Sequence, residues 1–94
     1  MQEKTVHLIG SAHIDPVWYW SRQAGMIEVL STCRTAIEML HNYDEFVFSL
    51  GDVWVYEILE KYCPEDLDII KKHISNKRWH VPGGWYVQPD CNLI

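Results

Sequence analysis

Apolar positions along this chain change their spacing repeatedly, and each change predicts a new element. Thr5–Ile9 (TVHLI) is rich in β-branched and large apolar residues and ends at Gly10, which predicts a strand running on toward Ala12. From about Ser21 the period shifts. Met26, Leu30, Cys33, Ile37 and Leu40 stand 4, 3, 4 and 3 residues apart, the spacing of one helix face, and that helix is expected to fade near His41–Asp44. Phe46–Leu50 (FVFSL) is short and wholly apolar but for one serine, as a buried parallel strand is. Gly51-Asp52 punctuates it, and VWVYEILEKY follows as a second helix.

Pro64 suits the first turn of a third helix, with Glu65 and Asp66 beside its positive end and Leu67, Ile70 and Ile74 turned inward. The basic run ending at Lys77-Arg78 is expected to be a solvated helix C-terminus. WHVPGGWYV then reads as a third strand with an irregular middle at Pro82-Gly83-Gly84. Strands alternating with helices of this length predict an α/β fold, a parallel βαβαβ segment. Three parallel strands with helices on one side leave apolar surface and two sheet edges uncovered. The segment is therefore expected to be part of a larger domain.

Composition narrows the function. Ninety-four residues make one small domain or a piece of a larger one. With 48% apolar and 22% charged residues the chain is globular rather than disordered. A net charge of −5 argues against nucleic acid or an anionic membrane as partner. The three cysteines, Cys33, Cys63 and Cys91, form no CxxC pair, so reduced thiols are expected. No leader-like stretch and no long apolar run stands in the sequence, and a cytoplasmic location is expected.

The candidate chemistry sits where the first strand ends. His13 and Asp15 are two residues apart, so an extended backbone turns both to one face. Pro16 holds Asp15 extended and ends the ladder there. The C-terminal end of a parallel strand is where α/β proteins place their sites. An imidazole and a carboxylate suit zinc as half of a site with an open position, but they equally suit a hydrogen-bonded strand-end pair. Trp18, Tyr19 and Trp20 are open to two readings as well, as stacking faces for a sugar ring or as anchors of the loop. Asp90, at the end of the third strand, either orients a ligand or caps the next turn.

Four blocks, AHIDPVWYW, EVLSTCRTAIEML, FVFSLGDVWVYEILEK and RWHVPGGWYVQPDCNL, resemble in order and spacing the N-terminal part of family 38 glycoside hydrolases, the zinc-dependent α-mannosidases. The resemblance runs from about Val6 to Leu93. It implies the first three strands of a seven-stranded β/α barrel, so that residues 1–94 are an N-terminal fragment of the catalytic domain. It further implies that His13 and Asp15 are ligands of zinc, or of another divalent metal, in a site this segment leaves incomplete, and that Trp18 packs on the bound mannose.

The implied reaction is retaining hydrolysis of terminal α-mannosides of oligosaccharides, by a nucleophile and an acid/base that both lie beyond Ile94. The 94-residue chain alone is therefore expected to be inactive, and the full-length enzyme is a candidate oligomer. Two other readings stand beside this one. They are a segment of a zinc-dependent carbohydrate deacetylase and a non-enzymatic α/β binding module.

Overall fold

The computed structural model describes residues 3–87. Its elements run β1 (Gly10–Ser11), α1 (Arg22–Asn42), β2 (Phe48–Ser49), α2 (Val53–Tyr62), α3 (Pro64–Ser75) and β3 (Trp79–His80). The strands form one parallel sheet in the order β1-β2-β3, with Gly10, Phe48 and Trp79 side by side and Ser11, Ser49 and His80 in the next row. The α/β, parallel βαβαβ reading of the sequence holds among the described residues. No helix there is long and apolar enough to cross a membrane.

Each helix begins where local chemistry starts it. The Ser21 hydroxyl accepts from the Ala24 amide at 3.2 Å and caps α1. Pro64 opens α3, with Glu65 and Asp66 in its first turn. The three helices pack on one another and on one sheet face around Val29, Cys33, Leu40, Leu50, Leu59, Ile70 and Trp79, none more than 1% exposed. The Trp79 ring lies 4.7 Å from that of Phe48, and its indole N–H donates to the Tyr56 hydroxyl at 2.9 Å. That hydroxyl in turn donates to the Leu50 carbonyl.

Four expectations need correction. Of the strand expected from Thr5 on toward Ala12 only Gly10–Ser11 forms, and Val6, Leu8 and Ile9 ahead of it are exposed. β1 has one neighbour only, and the chain ahead of Phe48 is a turn closed by the Phe46 amide on the Tyr43 carbonyl. Residues before Gly10 therefore meet no strand to pair with. The third strand stops at His80. Pro82 has no N–H to donate, and Gly83 and Gly84 take the left-handed φ values of 84° and 92°.

The other two corrections concern side chains. Of the expected α1 stripe Cys33 and Leu40 are buried, while Met26, Leu30 and Ile37 are only partly buried at its edge; Gly25, Val29 and Ala36 complete the buried line. On α3, Ile74 is exposed, and past the helix, in the expected solvated basic run, Arg78 is half-buried. Its guanidinium donates to the Tyr43 and Phe46 carbonyls at 2.6 and 3.1 Å, so Arg78 ties β3 to the turn before β2.

Candidate active site

Beyond Ser11 the chain keeps the alternation of a strand. Ala12 and Ile14 pack against the core, while Ser11 and His13 line a cleft at the C-terminal ends of the strands. The cleft holds about 480 Å³ and is bounded by Ser49, Gly51 and Asp52 after β2 and by Gly83, Gly84 and Trp85 after β3. At its floor Gly51 lies so close to the Pro82 carbonyl that a Cβ has no room. Close backbone approach is the reason for glycine there.

The structure brings His13 and Asp15 together. His13 Nε2 is 3.1 Å from Asp15 Oδ1, and both side chains are nearly half exposed. It adds a third group the sequence did not single out. Asp52 Oδ2 lies 3.6 Å from the other ring nitrogen, Nδ1, and Asp52 is only 7% exposed. Burial pushes the Asp52 carboxyl up from its ordinary range; the facing His13 opposes that shift and the Asp15 carboxylate adds to it. In the sequence, Gly51-Asp52 reads as punctuation before a helix. The available signal was position, since Asp52 follows β2 as His13 follows β1.

Two atoms that each sit about 2.0–2.1 Å from one divalent ion stand roughly 3.0–3.4 Å apart. The 3.1 Å separation of His13 Nε2 and Asp15 Oδ1 fits that requirement, and a nitrogen–oxygen donor pair suits zinc. Among the described residues, no three His, Cys, Asp or Glu side chains converge on one point. The reason is geometric. The two imidazole nitrogens face away from each other, so Asp15 and Asp52 approach opposite sides of His13.

The aromatic loop divides its work. Trp20 is an anchor, its indole N–H donating to the Asp15 carbonyl at 3.2 Å. Trp18 is 63% exposed and Tyr19 93%, the two rings meeting edge to face at 5.4 Å. The loop is seated on α1 at Gly25, where an added Cβ would come within 2.5 Å of the Pro16 carbonyl oxygen. Asp90 lies outside the described residues.

The chain is similar in sequence to known α-mannosidases. Alpha-mannosidase G of Dictyostelium discoideum is 27% identical over 88 residues, which cover 94% of this chain and 8% of that protein. Alpha-mannosidase 2C1 of Mus musculus is 22% identical over 91 residues, covering 97% of this chain and 9% of that protein. The chain thus spans less than a tenth of the curated relatives it matches. These matches favour the glycoside hydrolase reading over the deacetylase and the binding module. The family model described as "Glycosyl hydrolases family 38 N-terminal domain" matches residues 3–94, and the chain belongs to that family.

Proposed function

We propose that this segment supplies the first three strands of the seven-stranded β/α-barrel catalytic domain of a zinc-dependent, retaining α-mannosidase that acts on terminal α-mannosides of oligosaccharides. The observation that carries the reading is the His13–Asp15 pair, 3.1 Å apart at the end of β1, in a chain matched almost throughout by a glycoside hydrolase family. His13 offers its Nε2 lone pair and Asp15 a carboxylate oxygen, so these two hold half of the metal site. Zinc, when bound, supplies positive charge and a template for two neighbouring sugar hydroxyls. Trp18, in the loop that follows Asp15, is exposed and offers a broad apolar face suited to the C–H face of a pyranose.

The nucleophile and the acid/base are assigned outside this segment, so the isolated 94-residue chain is expected to show no turnover. The buried free thiols of Cys33 and Cys63 support a reducing, cytoplasmic setting.

The test uses the polypeptide that begins MQEKTVHLIG, purified at its native length. An aryl α-mannoside should be hydrolysed with release of the α-anomer, activity should vanish on chelation and return with zinc, and His13→Ala should abolish it. Undiminished hydrolysis after complete metal removal, or release of acetate from acetylated sugars in place of mannoside cleavage, would overturn the proposal.

A further inference from the structure

Asp52 occupies the N-cap position of α2, where a carboxylate ordinarily accepts from the second or third amide of the helix. Here it makes no such bond. The amides it would serve have other partners. Val53 N–H donates to the Trp85 carbonyl at 2.9 Å, Trp54 N–H to the Tyr86 carbonyl at 3.0 Å, and Val55 N–H to the backbone carbonyl of Asp52 itself at 3.2 Å. The side chain is thus relieved of capping, yet it is buried, and a buried carboxylate needs a partner. The group it faces is Nδ1 of His13, at 3.6 Å, on the side of the ring away from Asp15.

We infer that Asp52 is a positioning residue for His13: it accepts the Nδ1 proton, fixes the ring, and leaves the Nε2 lone pair directed to the Asp15 side. The inference rests on the metal reading proposed above and adds a residue to it. A histidine that ligates through one nitrogen commonly donates its other N–H to a carboxylate, which sets the tautomer and makes the ligand more basic. Asp52 does not share an ion with His13 and Asp15, because the two ring nitrogens diverge. Its action on the metal passes through the imidazole.

The experiment measures zinc affinity of the native-length polypeptide by competition with a chromophoric chelator. His13→Ala should lose the site, and Asp52→Ala should bind about 10- to 100-fold more weakly. Asp52→Asn, which keeps an acceptor oxygen and loses the charge, should fall between Asp52→Ala and the unsubstituted protein. Glu60→Gln, an exposed charge on the same helix, should match the unsubstituted protein.

Two readouts separate positioning from a structural role. Helix content and melting temperature of Asp52→Asn should be unchanged, since backbone carbonyls hold the α2 amides. In the zinc-loaded protein the His13 Nδ1 proton should give a slowly exchanging resonance that Asp52→Ala removes. Asp52→Ala affinity within about twofold of the unsubstituted protein, with His13→Ala still disabling, would overturn this inference alone. A larger loss in Asp52→Ala than in Asp15→Ala would overturn it by placing the ion on Nδ1. No zinc binding by the unsubstituted protein would overturn the metal reading and this inference with it.

Discussion

The helical face of the sheet and the loops at its strand ends draw on the same residue types and treat them in opposite ways. Trp79 is wholly buried, packed on Phe48 and hydrogen-bonded to Tyr56, whereas Trp18 stands in the loop after β1 with most of its surface exposed. On the helical face polar atoms are drawn in to satisfy the core, as the Tyr56 hydroxyl does between Trp79 and Leu50. At the strand ends polar groups instead face one another across a cleft, and the aromatics beside them are left uncovered. The buried Trp79 indole holds the structure, whereas the exposed ring of Trp18 is accessible from solvent.

The largest expected effect tests the buried side. Trp79→Ala should cost about 3–5 kcal/mol, read from urea midpoints of the native-length protein, because it removes a large packed ring and the N–H that the Tyr56 hydroxyl accepts. Trp18→Ala should change the same midpoint by less than about 0.5 kcal/mol while weakening mannoside turnover. Equal losses of stability would erase the contrast.

The next effect is alkaline. Burial pushes the Cys33 thiol and the Tyr56 phenol each up to about 12, from 9.0 and 10.0, so the folded state holds both protons more tightly than the unfolded chain does. Their contribution to stability is full below about pH 9 and is lost as pH rises toward about 12. Urea midpoints followed across that range should fall, and Tyr56→Phe should flatten the upper part of the curve.

Gly25→Ala should destabilise by about 1–3 kcal/mol, since the new methyl meets the Pro16 carbonyl, and should also loosen the loop that carries Asp15. Calorimetry measures the first effect and zinc affinity the second. A smaller effect than that of Gly25→Ala is expected for Arg34→Ala. Its bond to Asp66 is 3.0 Å long, but the arginine side chain is 64% exposed, so less than about 1 kcal/mol should be lost.

The helices were legible in the sequence because their signals are local: a serine cap at Ser21, a proline start at Pro64 and a regular spacing along α1. The helix line that touches the core was legible at Cys33 and Leu40 but not at Gly25 and Ala36, because hydrophobicity marks large residues while close packing also admits small ones. Strand length was illegible for Val6–Ile9, since pairing is set by where the neighbouring strand begins.

Of the candidate site, the nearness of His13 and Asp15 was readable from their spacing on an extended backbone. Asp52 was not, because a Gly-Asp before a helix looks like a cap. Only the three-dimensional placement of the Trp85 and Tyr86 carbonyls shows that the cap is made by other atoms.

That replacement of a cap has a kinetic side. The first amides of α2 are secured by carbonyls far downstream in the chain, past β3. The start of α2 therefore cannot close fully until the segment after β3 has folded back, and the two should open together as one cooperative unit. The Val53 and Trp54 amides thereby become built-in reporters. Their hydrogen-exchange rates follow the docking of the Pro82–Tyr86 segment, and with it the closing of the cleft floor.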